Sequence, residues 1–182
     1  MSRQRMRFLA LAVGFVCLGT ANASLQSQPL SAARAESARD PDQRFLREMI
    51  DHHEGLIYLV HEAMQRPISQ KAHEVLDGFD VTEDAEKREM SEVLRSFFRD
   101  SHEGTPTKHD KSAADSVLWE SGSPAFDRVA SAFVVSHHRR GIKLVDAFLP
   151  QIRRPRVREL AVAIKRKEQR EIAFHQRRLA TH

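Results

Sequence analysis

The sequence predicts an all-α fold, a four-helix bundle made of two repeated helical hairpins. Three observations predict it. Apolar residues recur at helical spacing through four blocks, breaks bearing proline separate those blocks, and the pattern of the first pair of blocks returns in the second. Nothing reads as a strand: period-two alternation is absent, and Asp77-Gly78 sits inside helical periodicity rather than between strand-like runs.

The first helix is expected to start at Asp40-Pro41, an N-cap followed by proline at the first helical position. Phe45, Met49, Leu56, Val60 and Ala63 then recur on one face, and Pro67 ends the helix near Arg66. Ser69 is placed to cap a second helix running to about Phe98, through Val75, Phe79, Val81, Met90, Val93, Leu94 and Phe97; Gly78 weakens it locally. Residues 99–116 read as a polar linker and "VLWES" as one short turn ending at Gly122. Ser123-Pro124 repeats the cap-plus-proline start, and the third helix runs to Leu149 before Pro150. Arg154-Pro155 opens the fourth, through Val157, Leu160, Ala161, Ile164, Ile172 and Leu179. Trp119 is expected to plug the end of the bundle. His61 and His73 fall off the main stripes and are expected at the surface, and His102, Glu103, His109 and Asp110 are expected in a solvated loop.

A displacement of 85 residues carries Asp42 onto Asp127, His52 onto His137, His53 onto His138, Ile57 onto Ile142, Leu59 onto Leu144 and Val60 onto Val145. Past the proline breaks a displacement of 82 aligns better, carrying Glu86 onto Glu168 and Glu89 onto Glu171. Each hairpin therefore bears an adjacent histidine pair on its first helix.

Helical periodicity puts His53 within the stripe of Met49, Leu56 and Val60, with His52 at its flank. His138 lies likewise among Ala130, Val134, Gly141, Val145 and Phe148, with His137 at the flank. Glu168, Glu171 and His175 share the face of Val157, Leu160 and Ile164, while Glu86 and Glu89 share that of Val75, Phe79 and Val93. A buried carboxylate without a partner is destabilising, so a metal ion, a facing histidine or an arginine must compensate. Two readings stay open. The groups form a metal site, or they are structural histidines and glutamates whose hydrogen bonds set helix register.

The chain begins with the basic "MSRQRMR", an apolar "FLALAVGFVCLGT" and the small residues "ANA", the order of a secretory signal peptide over residues 1–23 cut after Ala23. The apolar run is too short to span a bilayer, with a membrane anchor as the competing reading. Residues 24–40 are small, polar and aperiodic, as in a flexible tether. The bundle is expected over residues 41–182, with repeat halves at about 41–100 and 115–182. Cys17, the only cysteine, falls in the leader, so the exported chain has no thiolate site or disulfide. Removing Arg3, Arg5 and Arg7 with the leader leaves 26 basic against 25 acidic residues, which gives no argument for nucleic acid. Catalytic signatures are missing too. There is no G-x-S-x-G, no H-E-x-x-H and no glycine-rich phosphate loop, so no enzyme is expected.

Asp42, Phe45, Met49, Ile50, His52, His53 and Gly55 form D-x-x-F-x-x-x-M-I-x-H-H-x-G, which resembles the signature of the DUF305 family. "SGSPAFDRVASAFVVSHHRRGIKLV" resembles it again, with that family's Ser-Gly and Phe-Asp-Arg elements in front, and "EQREIAFHQRRL" is similar to its closing stretch. The resemblance covers about Asp40 to Ala180. It implies a ferritin-like four-helix bundle exported in bacteria, periplasmic or secreted, of which some members bind copper through histidine and methionine. By position it implies Met49, His52, His53, His137 and His138 as ligands.

The chain departs from that pattern where Val134 replaces a methionine, Ala130 a phenylalanine and His175 the methionine after the closing glutamate. Thioether sulfur suits Cu(I), whereas imidazole and carboxylate suit Cu(II) or Zn(II), so His175 hints at a harder site or at one lost from the second half. Arg139 and Arg140 add charge that opposes a cation there.

The resulting expectation is an exported metal-binding protein that binds or buffers copper or confers resistance to it, zinc or iron being secondary. Its metal set comprises His53, His138, His52, His137, Met49, His175, Glu171 and Glu168. Neutral imidazole is the ligand form, so binding is expected to weaken as pH falls through about 6.5. The alternatives are a structural or partner-binding bundle without metal, and a ferritin-like di-metal oxidase. The oxidase reading needs Glu86, Glu89, Glu168 and Glu171, and Glu171 to His175 departs from its Glu-x-x-His step.

Overall fold

Local capping chemistry sets where the helices begin. The computed structural model describes residues 40–180; the expected leader, residues 24–39 of the expected tether and residues 181–182 lie outside the described residues. Among the described residues the chain forms α1 (Pro41–Met64), α2 (Gln70–Phe98), α3 (Lys108–Leu118), α4 (Phe126–Phe148) and α5 (Pro155–Ala180), with no strand. It is an all-α helical bundle. No helix among these residues is long and apolar enough to cross a membrane.

Asp40 caps α1 by accepting from the Asp42 N–H at 2.9 Å, with Pro41 in the first turn. Ser69 caps α2 by accepting from the Ala72 N–H at 3.0 Å. The start of α4 differs from expectation. Ser123 accepts from the Ala125 N–H at 3.1 Å within a turn, and the helix begins at Phe126 without a side-chain cap.

The stretch read as a linker and a short turn is instead helix α3. Thr107 accepts from the Asp110 N–H at 3.1 Å and its hydroxyl donates to Asp110 Oδ2 at 2.7 Å, which ties down the first turn. Asp110, Ala114, Val117 and Leu118 then form a narrow buried stripe. The composition is polar because only that stripe meets the protein. Trp119 does not plug the bundle. It follows Leu118 off the stripe, at the C-cap of α3, and is 88% exposed. Val81 and Phe97 also leave the interior of α2, whose buried line runs through Ala72, Leu76, Phe79, Glu83, Met90, Val93 and Leu94. Phe97 packs instead beneath the Arg154 guanidinium.

Helix α1 packs chiefly on α2, and α4 on α5, giving the two hairpins; α3 lies against α1 and α4. The repeat governs how the hairpins join. Buried Asp42, in the first turn of α1, accepts from the N–H groups of Arg153 and Arg154 at 2.8 Å each and from Arg154 Nη1 at 3.0 Å, holding the start of α5. Its mate Asp127, in the first turn of α4, accepts from the Ser69 hydroxyl at 2.9 Å, holding the start of α2. Ser69 and Arg154 are themselves 85 positions apart. Each half thus anchors the second helix of the other.

Two apolar clusters fill the interior. One includes Phe45, Met49, Met90, Leu94, Val145 and Ile164, and the other Leu56, Val60, Phe79, Leu118, Phe126 and Val134. At roughly 1.5–3 kcal/mol per large apolar side chain removed from water, these clusters dominate the stability of the bundle. Along α1, α2 and α4 the chain passes from one cluster to the other, and His52–His53, Glu83 and His137–His138 fall at the crossing points. A belt of buried polar groups therefore cuts across the bundle at mid-height.

Candidate metal centre

Helices α1 and α4 supply the histidine pairs to this belt, α2 and α5 supply the glutamates, and α3 adds one aspartate. All four histidines are buried, His52 and His137 included, although periodicity had put those two only at the flank. The contribution of α3 explains their burial, since it closes over the side of α1 and α4 where these rings lie.

In the first half, His53 Nδ1 donates to the Met49 carbonyl at 3.0 Å, which turns Nε2 toward Glu86 Oε2 at 3.0 Å and Glu83 Oε2 at 3.6 Å. Lys167 from α5 closes this group. Its Nζ donates to Glu83 Oε1 at 2.6 Å and Glu86 Oε2 at 3.0 Å, with Glu171 Oε1 at 3.9 Å. Burial opposes the charge on each member, but their mutual attraction outweighs it. The Glu83 carboxyl is held down to about 2 by His53 and Lys167, Glu86 is lowered, and the His53 imidazolium and Lys167 ammonium are favoured.

In the second half, His138 Nε2 lies 3.0 Å from Glu171 Oε2, and Nδ1 lies 3.7 Å from Glu168 Oε1. These atoms are close enough to feel each other's charge but are not aligned for hydrogen bonds. Burial disfavours the His138 cation, yet the two carboxylates outweigh it and raise its pKa to about 9. Burial raises Glu168. Among the described residues both His138 ring nitrogens, Glu168 Oε2 and Glu171 Oε2 are buried without a hydrogen-bond partner.

At the centre the rings of His52 and His137 stack, centroids 3.8 Å apart. His137 Nδ1 lies 3.3 Å from Asp110 Oδ1, and Asp110 also receives the Arg140 guanidinium. Burial and the neighbouring imidazoles push His52 well below its usual range; burial, against Asp110, lowers His137 to about 4. Both rings are therefore neutral near pH 7. Each Nε2 is buried and unpartnered, and His52 Nε2 lies 3.8 Å from Glu168 Oε1. The Arg140 guanidinium also reaches His137 Nδ1 at 3.4 Å, so Asp110 and Arg140 together hold that ring.

Two glycines make room for these groups. A Cβ at Gly141 would clash with Glu168 Oε1 and come within 2.7 Å of His52 Nε2. One at Gly55 would come within 2.6 Å of Asp110 Cβ and 3.2 Å of His137 Cε1.

Of the residues expected to gather, His52, His53, His137, His138, Glu168 and Glu171 do so. Met49 is buried in an apolar cluster and meets His53 through its carbonyl. His175 is buried but stands apart, its ring stacked on Phe79 at 5.4 Å and edge-on to Phe174 at 5.1 Å. Glu89 does not point inward; its side chain is 41% exposed and pairs with Arg156. Glu83 takes the inward place.

The displacement of 82 is therefore corrected. A single displacement of 85 runs through the whole chain, carrying Glu83 onto Glu168, Glu86 onto Glu171 and Met90 onto His175. Glu83 lies four residues after Phe79, one turn along the buried face, so helical periodicity held the signal. Asp110 was signalled only by Thr107 three residues before it. Arg140 does not oppose a cation in the way its charge suggested, because Asp110 neutralises it, and Arg139 is exposed.

No family model matches the chain, and no curated protein matches it. Its fold is similar to solved structures of CopM. These are "CopM in the Cu(II)-bound form" (20% identity, TM-score 0.63), "CopM in the Cu(I)-bound form" (18%, 0.63) and "CopM in the Ag-bound form (by co-crystallization)" (18%, 0.62). Each match covers 77% of this chain and 96% of CopM. At that identity the likeness shows the shared helical fold.

Proposed function

We propose that this chain is an exported copper-binding protein without enzymatic activity, which buffers the ion or confers resistance by holding it in the mid-bundle belt. One observation carries the reading. Unpartnered atoms of His52, His137 and Glu168, buried on three helices, lie in one belt with the His138–Glu171 ion pair. Leaving a buried polar atom unpaired costs about 1–3 kcal/mol, and a bound cation removes several such penalties together.

Glu83 and Glu171 beside His138 form one set of ligand atoms within 4.8 Å of one another, and His52, Asp110 and His137 form a second. Asp110 holds the His137 ring in place, and Gly141 keeps the approach to Glu168 and His52 open. An imidazole–carboxylate set favours Cu(II) or Zn(II) over Cu(I). The metal-bound state named for CopM, the DUF305-like signature and the signal-like first 23 residues support the same reading. A purely structural belt is the weaker reading, because it leaves His52 Nε2, His137 Nε2 and Glu168 Oε2 unsatisfied.

The test is titration of the purified chain with Cu(II), Cu(I) and Zn(II), alongside His138→Ala and the double variant His52→Ala/His137→Ala. Saturable Cu(II) uptake that weakens at least tenfold in His138→Ala is expected. Uptake no greater than that of an unrelated helical protein, unchanged in both variants, overturns the reading.

A further inference from the structure

Helices α2 and α5 touch only lightly, and between them lies a groove of about 460 Å³ lined by Val75, Gly78, Phe79, Thr82, Phe174 and His175. His175 is 1% exposed, yet among the described residues neither of its ring nitrogens has a hydrogen-bond partner. Burial and the nearby Arg178 lower its pKa to about 4, so the ring is neutral at pH 7 and carries an available lone pair. Glu171, one turn earlier on α5, also lines the groove, and its Oε2 lies 3.0 Å from His138 Nε2. Phe79 touches both histidines, its ring centroid 5.4 Å from that of His175 and 5.9 Å from that of His138. The groove thus leads from solvent to the edge of the belt. The repeat-related end of the α2–α5 seam is built differently. There Met90 stands for His175 and is fully buried, Ala163 stands for Gly78, and Glu89 stands for Phe174 and pairs with Arg156 of α5.

We infer that the metal ion enters the belt through this groove, with His175 as its first protein ligand. The inference rests on the metal-binding reading and adds the route to it. A hydrated divalent cation carries about six waters of about 30 Å³ each, so the groove admits it with its shell intact. The ion reaches a buried site only by exchanging those waters for protein lone pairs, and exchange in steps keeps each loss of solvation small. His175 offers such a lone pair ahead of the belt, and Glu171 carries the ion on to His138. Phe174 stands edge-on to His175 and is 44% exposed, so its rotation uncovers the imidazole. Net charge does not draw the ion in, because Arg170 and Arg178 flank the groove as well as Glu74 and Glu171. The attraction is the lone pair of a buried imidazole that has no other hydrogen-bond partner. A ligand used only on the way lowers the barrier in both directions and leaves the dissociation constant unchanged.

Copper(II) is the probe, being suited to imidazole and carboxylate. Stopped-flow absorbance follows its uptake and release, and competition with a chelator gives the affinity. In His175→Leu the association and dissociation rates are expected to fall together by about tenfold, with the affinity unchanged. Gly78→Phe tests the route without touching a ligand. An added Cβ at Gly78 meets nothing within 4 Å, so the phenyl ring enters open space and fills the groove. It is expected to slow uptake likewise, whereas Gly78→Ala keeps the wild-type rate. Circular dichroism checks the fold of each variant, and Gly78→Phe decides alone where His175→Leu does not fold. Wild-type rates in either folded variant overturn the inference while leaving metal binding intact. A weaker affinity in His175→Leu with an unchanged association rate also overturns it, because a ligand of the bound state behaves in that way. No uptake of Cu(II) by the wild type overturns the metal-binding reading itself, and this inference with it.

Discussion

The imidazoles of His52 and His137, one from each half of the repeat, lie face to face with centroids 3.8 Å apart and planes 6° from parallel. Two imidazolium rings do not stack in this way. The contact therefore requires at least one neutral ring, and burial in the belt keeps both neutral near pH 7. A short distance outward, His138 has the opposite bias, because Glu168 and Glu171 favour its cation.

These opposed biases predict a maximum in stability between acid and base. His137 has its pKa lowered to about 4, so the unfolded chain binds its proton first, and stability falls as pH drops from about 6.5 toward 4. His52 acts in the same direction. His138 is raised to about 9, so its contribution is complete below about 6.5 and is lost as pH rises through 9. Each limb is on the order of 1–3 kcal/mol. Urea denaturation from pH 4 to pH 9.5 checks this, and the alkaline decline should disappear in His138→Gln.

Metal uptake should release protons at neutral pH. The sequence pointed to binding that weakens near pH 6.5, but the structure moves the relevant titration upward. His138 is protonated up to about pH 9, so an ion bound to its nitrogen displaces about one proton at pH 7. Calorimetric titration in buffers of different ionisation enthalpy measures that number. A value near zero in a protein that does bind metal would show that His138 is not a ligand. Affinity should accordingly rise between pH 6 and pH 9, and chelation of the ion should return the melting temperature to that of the metal-free chain.

Glycine-to-alanine changes should divide sharply by position. At Gly141 the new methyl meets Glu168 and His52, so Gly141→Ala should destabilise by about 1–3 kcal/mol and weaken metal binding. Gly78 lies within α2 with nothing within 4 Å of an added Cβ, so Gly78→Ala should stabilise by about 0.5–1 kcal/mol. Denaturant midpoints for the two variants measure both effects, and equal shifts would contradict the packing described at the belt.

Asp42 and Asp127 are repeat mates with the same task and different surroundings. Asp42 is fully buried and receives three donors from Arg153 and Arg154, so Asp42→Ala should cost about 3 kcal/mol. Asp127 takes an exposed Ser69 hydroxyl, so Asp127→Ala should cost no more than about 1 kcal/mol. Thermal melts of the two single variants test this ordering.

Much of this molecule was legible in the chain itself. The four long helices follow from apolar spacing, from the caps Asp40 and Ser69 and from the breaks at Pro67 and Pro150. Those are interactions among residues within a few positions of one another. The duplicated histidine pairs were equally plain, because a repeat is a property of the string. Glu83 is legible too, one turn beyond Phe79 on the buried face, although a displacement of 82 points to Glu89 in its place.

What tertiary structure alone decided are the relations between residues far apart in the chain. That Asp110 reaches His137 depends on how α3 lies across two helices. The placing of Lys167 among Glu83, Glu86 and Glu171, the isolation of His175 against Phe79, and the stacking of His52 on His137 depend on the register of one hairpin against the other. Periodicity shows which face of a helix is buried. It does not show the height at which two faces meet, and a distance between side chains depends on that height.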